Sequence, residues 1–173
     1  MSMMKTGRFG VEGSLDETVL ESMAVERSYE KYRSYFLSQA FPEGSPAHPA
    51  YPTGHGTVGG ACITVLKFFF DGNAVVSDPM VPSEDGLSLK PYEYGNQDSG
   101  LMTVNGELHK LAHNISFGHG IHPGIHWRSD TDYSIRLGEA VALSFLRDQA
   151  LTYKEKVAVD LTAVDGSVVT ISN

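Results

Sequence analysis

The chain has almost no cysteine. Cys62 is the single one among 173 residues, so no disulfide can form within it. It has no apolar run long enough to cross a bilayer: the longest, inside "GGACITVLKFFF", falls far short of the ~20 residues a membrane helix needs. It also lacks a positive balance. The 13 Lys and Arg are outnumbered by 21 Asp and Glu, for a formal charge of -8. That balance argues against non-specific nucleic-acid binding, but leaves room for one local site that holds an anion. The opening "MSMMKTGRFG" has no apolar core, so no secretory signal is expected. There is no internal repeat. The expectation is a soluble chain with neither membrane nor nucleic acid as partner, in a compartment the sequence does not specify.

What is present suits a globular core. Hydrophobic residues make up 41% of the chain, and its length suits one domain. Residues 1–13, punctuated by Gly7, Gly10 and Gly13, read as a flexible leader, and residues 14–173 as the domain. "SLDETVLESMAVERSYEKYRSYFLSQAF" has helical periodicity through Val19, Leu20, Met23, Tyr29, Tyr32 and Phe36, with Ser14 as N-cap and Glu17 as its capping-box partner. The prolines of "PEGSPAHPAYP" break it. "TGHGTVGGACITVLKFFFDG" is apolar on nearly every face from Ala61 to Phe70, which predicts a buried helix ended by Gly72, with Cys62 inside. Gly54, Gly56, Gly59 and Gly60 make sense there only if something packs close to the backbone.

Residues 72–100 read as loop. A helix over 101–122 is expected to turn Leu108, Leu111, Ala112 and Ile115 inward. A further helix, capped by Ser129 or Asp130, carries Ile135, Leu137, Ala140, Val141, Ser144 and Phe145 as its apolar stripe. The tail switches to alternation, with Val157, Val159 and Leu161 facing Val169 and Ile171 across "VDGS", a hairpin. The fold class is mainly α with a short C-terminal β-hairpin.

Two groups of residues carry chemistry. His109 and His113 stand at i, i+4 spacing, which suits a metal or simply a helix surface. "HPAYPTGHGT" is more specific. A helix N-terminus offers unpaired N–H groups and a positive dipole end, glycine lets an anion approach the backbone, threonine adds a hydroxyl donor, and histidine can give or take a proton. Thr53, Gly54 and His55 thus form either an oxyanion cradle with an acid–base group or a proline-flanked helix start.

Three stretches, "AFPEGSPAHPAYPTGHGT", "GELHKLAHNISFG" and "GIHWRSD...RLGEAVALSFLRDQALTY", resemble the C-terminal half of vanadium-dependent haloperoxidases, nearest the bromoperoxidase-like branch. Those enzymes share a helical bundle and oxyanion pocket with the acid phosphatases of the PAP2 superfamily. The resemblance runs from about residue 15 to about residue 170. It implies a helical bundle of that type and a vanadate cofactor, with phosphate as the near-isosteric alternative. His126 would bind the vanadium, Thr53 and Gly54 would hold the oxyanion, His55 would be the acid–base group, and His48 would stand beside the pocket as in bromoperoxidases. The substrates implied are hydrogen peroxide and halide, bromide preferred.

The chain departs from the family in three ways. Thr53 stands where the family has serine. His119 follows Gly118 where the family has an arginine, so His119 is the residue expected to face the oxyanion there. The lysine and arginine that the family draws from an upstream helix have no counterpart here. The expectation is therefore a site completed by a partner chain or by a missing N-terminal half, or else a catalytically silent homo-oligomeric remnant, or a phosphatase-like pocket that binds phosphate.

Overall fold

The computed structural model describes residues 21–35, 46, 48–93 and 102–173. The chain divides into two units, Met1–Pro42 and Glu43–Asn173. Residues 1–20, with Ser14, Glu17, Val19 and Leu20, lie outside the described residues, as does Phe36.

In the first unit, helix α1 spans Met23–Tyr32. Its N-cap is Ser22, whose hydroxyl accepts from the Val25 amide. The helix closes at Arg33, in the left-handed region at φ 55°. Tyr29 stacks on Tyr35, with ring centroids 4.4 Å apart.

The second unit holds α2 (Gly54–Phe69), β1 (Met80–Pro82), β2 (Leu89–Pro91), α3 (Val104–Ser116), a π-helical turn (Phe117–Ile121), α4 (Arg128–Ala150), β3 (Ala158–Thr162) and β4 (Val168–Ser172). The stretch expected to be loop thus contains a small antiparallel pair, β1 with β2. The C-terminal hairpin is present as expected, with Val159 opposite Ile171 and Leu161 opposite Val169.

The centre of this unit is the crossing of α2 and α4. A Cβ on Gly60 would strike the Ile135 carbonyl, and one on Gly138 would strike the Thr57 carbonyl. Glycine is required at both because the two backbones touch. Beside the crossing, Gly59 lies against Ala112 of α3. Ile63, Ala112 and Ile135 form one small core, flanked by Leu108 and Val164. Phe68, Leu146, Ala150, Leu161 and Ile171 form a second core under the hairpin.

A close crossing selects small residues, and several expectations fall for that reason. The buried stripe of α4 is Thr131, Ser134, Ile135, Gly138, Glu139, Ala142, Leu146 and Ala150. Of the stripe predicted from hydrophobicity only Ile135 belongs to it; Leu137, Val141 and Phe145 (60% exposed) point outward, as do Ala140 and Ser144. Helix α2 is likewise buried on one face only. Gly60 faces α4, so Cys62, two residues on and about 200° around the helix, is exposed rather than buried. It shares that outer face with Val58 (62% exposed), Leu66 and Phe69 (66%). On α3, Ala112 is buried, while Leu111 and Ile115 are exposed.

Two polar links tie the hairpin to the helices. The Lys67 ammonium of α2, its side chain 1% exposed, donates to the Thr162 carbonyl at 2.8 Å and stands 3.8 Å from the Glu139 carboxylate of α4. Glu139 in turn accepts from the Val164 amide at 2.8 Å. Among the described residues, no helix is long and apolar enough to cross a membrane.

Candidate functional site

The loop from His48 to Pro52 leads into α2 through a cis Tyr51–Pro52 peptide. Thr53 is the N-cap of α2 and is completely buried, but its hydroxyl does not cap the helix. Its amide donates across 81 residues of sequence to the Ser134 hydroxyl of α4, at 2.8 Å. Its Oγ1 is buried with no hydrogen-bond partner, as are Ser116 Oγ and Thr131 Oγ1. A buried hydroxyl without a partner is costly and rare.

The first-turn amides of α2 belong to Gly54, His55 and Gly56, and an α-helix gives such amides no partner of its own. A Cβ built on Gly54 would meet nothing within 4 Å. The glycine is therefore not forced by packing, and the space beside this helix end is open.

His126 enters from the turn before α4. Its Nδ1 lies 2.6 Å from the Ala50 carbonyl. A carbonyl only accepts, so Nδ1 carries a proton, and it is Nε2 that holds the lone pair whenever the ring is neutral. The ring is clamped further: Gly120 lies against it, the Ile125 and His126 amides both bond the Gly120 carbonyl, and Asp130 Oδ2 stands 3.7 Å from Nδ1. Asp130 also accepts from the Trp127 amide at 3.0 Å. The expected cap therefore moves. Trp127 is the N-cap, and Asp130 acts from the third helical position.

The π turn shapes the other wall. The His122 amide bonds the Phe117 carbonyl, an i→i+5 step. The turn brings His119 flat against His55, with ring centroids 4.5 Å apart and planes within 5°. His48 lies 6.3 Å from His126, ring to ring, while its own Nδ1 meets the Pro49 carbonyl. Thus His55 and His119 meet, His48 and His126 meet, and Thr53 and Gly54 lie at the helix end between Ala50 and His55. His48, His55 and His119 are exposed at residue level.

His109 and His113 do not join this group. His109 Nε2 is buried without a partner, and burial, Lys67 and His113 together hold its pKa below the usual histidine value. His113 packs near the Phe117 ring. Among the described residues, no group of three His, Cys, Asp or Glu is placed to hold a metal ion.

Sequence reasoning missed Ser116, Thr131 and Ser134. The signal was Thr131 and Ser134 at helical spacing with Ile135 and Gly138, a hydroxyl-bearing row on what proves to be the inner face of α4.

The site has a fit for a tetrahedral oxyanion such as vanadate. An orphaned donor hydroxyl, unpaired first-turn amides, open space at Gly54 and an imidazole with a defined lone pair suit that group.

Comparison with known proteins bears on the family and the fold. Residues 21–153 match the model of the VCPO second helical-bundle domain. The chain is 44% identical over 138 residues to a vanadium-dependent bromoperoxidase of Corallina officinalis, covering 80% of this chain and 22% of that protein. It is 41% identical over 138 residues to the Corallina pilulifera enzyme of the same name, with the same coverage. The vanadium-dependent bromoperoxidase of Ascophyllum nodosum is 37% identical over 139 residues, 79% of this chain and 24% of that protein. In fold, the chain is like the homohexameric second vanadate-dependent bromoperoxidase from Ascophyllum nodosum, with a TM-score of 0.79 at 24% identity, over 98% of this chain and 34% of that one. The chain spans less than a quarter of the length of each curated relative, 22% to 24%.

Proposed function

This chain belongs to the family of the VCPO second helical-bundle domain, and from that premise we propose that it carries part of a vanadate site serving the oxidation of halide, bromide preferred, by hydrogen peroxide. The observation that supports this best is the His126–Ala50 hydrogen bond, which occupies Nδ1 and leaves Nε2 available as a ligand atom. His126 would bind vanadium through Nε2. The Thr53 hydroxyl and the amides of Gly54, His55 and Gly56 would donate to the oxygens, where the dipole of α2 favours negative charge. When bound, vanadate supplies the centre at which peroxide becomes reactive toward halide.

His55 would give and take a proton, and its ring stacks flat on His119. His119 would face the oxyanion from the π turn, and His48 stands beside His126 as a second proton-carrying group.

The test is orthovanadate titration of the chain with and without His126→Ala, followed by ⁵¹V NMR. Binding that is lost in the variant is expected. Inorganic phosphate, the same class of oxyanion, should compete. A wild-type chain that binds neither anion would overturn the proposal.

The partner side of the proposal, a homo-oligomer or further chain covering this bundle, rests on the outer faces of α2 and α4. Val58, Leu66 and Phe69 stand exposed on one helix and Tyr133, Leu137, Val141 and Phe145 on the other. Light scattering checks it, and a monodisperse monomer would count against it.

A further inference from the structure

Thr53 is held from two sides. Its amide donates to Ser134 Oγ at 2.8 Å. Its methyl borders a space that only a glycine can leave open: a Cβ on Gly56 would fall 2.7 Å from Thr53 Cγ2, 2.9 Å from Ser116 Oγ and 3.0 Å from Ser134 Cβ. Thr53, Ser116 and Ser134 are each fully buried, and Gly56 is buried with them. Three elements therefore close on the space at Gly56: the first turn of α2, the last residue of α3 and the inner face of α4.

A β-branched side chain has few χ1 choices. The Thr53 methyl lies beside Gly56, at a space that Ser116 Oγ and Ser134 Cβ also border; while it stays there the direction of Oγ1 is set, because the two groups share one Cβ. A serine in the same place would have no methyl to seat, and its hydroxyl would be free to rotate among wells.

We propose that Ser134 is a positioning residue of the oxyanion site. It fixes the Thr53 amide directly and, with Gly56 and Ser116, borders the space beside the Thr53 methyl, so that one hydroxyl orientation is presented to the anion. This rests on the reading of the α2 N-terminus as an oxyanion cradle. One consequence concerns the donors. The Thr53 amide is turned inward to Ser134 and is not among those an anion receives, which leaves the Thr53 hydroxyl and the amides of Gly54, His55 and Gly56. Ser134 itself touches no anion; it acts through Thr53.

The test joins two measurements on the full chain. Three-bond N–Cγ2 and C′–Cγ2 couplings report the Thr53 rotamer in the absence of any anion, and ⁵¹V NMR titration reports orthovanadate binding. The wild type should show couplings of a single rotamer. Ser134→Ala should show averaged couplings and an orthovanadate dissociation constant raised about tenfold. Thr53→Ser, which removes only the methyl, should weaken binding by a similar factor, and the double variant should lose less than the product of the two.

If Ser134→Ala does not fold, the wild-type couplings and Thr53→Ser still decide. Averaged wild-type couplings, or Thr53→Ser binding as the wild type does, would overturn the proposal, as would a folded Ser134→Ala with unchanged couplings. If the wild type binds neither vanadate nor phosphate, the cradle reading fails, and the lock on Thr53 stands or falls on the couplings alone.

Discussion

Gly138 of α4 lies directly against the carbonyl of Thr57 in α2, with no room for a Cβ between them. Thr57 is one turn into the helix whose N-terminus is the proposed cradle, and Gly138 is one turn beyond Ser134. The glycine contact therefore sets how near α4 comes to Thr53, and with it the Ser134 hydrogen bond. At Gly138, and equally at Gly60 against the Ile135 carbonyl, the obstacle is backbone, which cannot rotate away. Gly138→Ala or Gly60→Ala should cost about 3 kcal/mol or more, the upper range for overpacking. Urea unfolding checks this, and a loss below ~1 kcal/mol would show that the helices separate easily.

Gly54 separates stability from binding. An added Cβ there meets nothing, and alanine is intrinsically the better helix residue. Gly54→Ala should leave the melting temperature unchanged or slightly higher. The same methyl occupies the open space beside the first-turn amides, so orthovanadate binding should weaken about tenfold. A variant that binds as the wild type does would place the anion elsewhere.

The motif "PTGH" at the head of a helix, the mainly α class and the C-terminal hairpin were legible because each rests on local signals: turn chemistry, helical periodicity and alternation. The glycines of α2 signalled that something packs close to the helix, which holds at Gly56, Gly59 and Gly60 but not at Gly54, where an added Cβ meets nothing. The partner was not legible, since a close crossing is a property of two helices. Its result inverted the hydrophobic stripe of α4, with Thr131, Ser134 and Gly138 inside and Leu137, Val141 and Phe145 outside. The π turn escaped because a 3.6-residue period does not mark an i→i+5 step, and that turn is what stacks His119 on His55. The Ala50 carbonyl, which fixes the proton of His126, is backbone and leaves no trace in residue type.

His109 should make stability depend on pH. Burial first, then the neighbouring charges of Lys67 and His113, hold its pKa below the ordinary 6.5. Between the lowered folded value and 6.5 the unfolded chain binds more protons than the folded one, so stability rises with pH through that window and is complete above it. Acidification through the same window should lower the urea midpoint, and His109→Gln should flatten that part of the profile. An unchanged slope in the variant would assign the titration to another group.

The ion pair of Lys67 and Glu139 gives the sharpest test of how the hairpin is fastened. Burial pushes the Lys67 pKa below its ordinary 10.5, and the Glu139 carboxylate pushes back up. Glu139→Ala would remove that carboxylate and also strand the Val164 amide, which now donates to it at 2.8 Å. Leaving one buried charge without its partner is the costly case, so a loss of about 3 kcal/mol is expected. The double change Lys67→Met with Glu139→Gln removes both charges and keeps an acceptor for Val164. Only the Thr162 carbonyl then loses its donor, and stability should return to within ~1 kcal/mol of the wild type. Urea unfolding of the two variants decides. If Glu139→Ala costs no more than the ~0.5 kcal/mol of an ordinary surface substitution, the hairpin is held without that carboxylate, by the core of Phe68, Leu146, Ala150, Leu161 and Ile171 and by the bonds of Lys67 to Thr162 and Asn173 to Ala150.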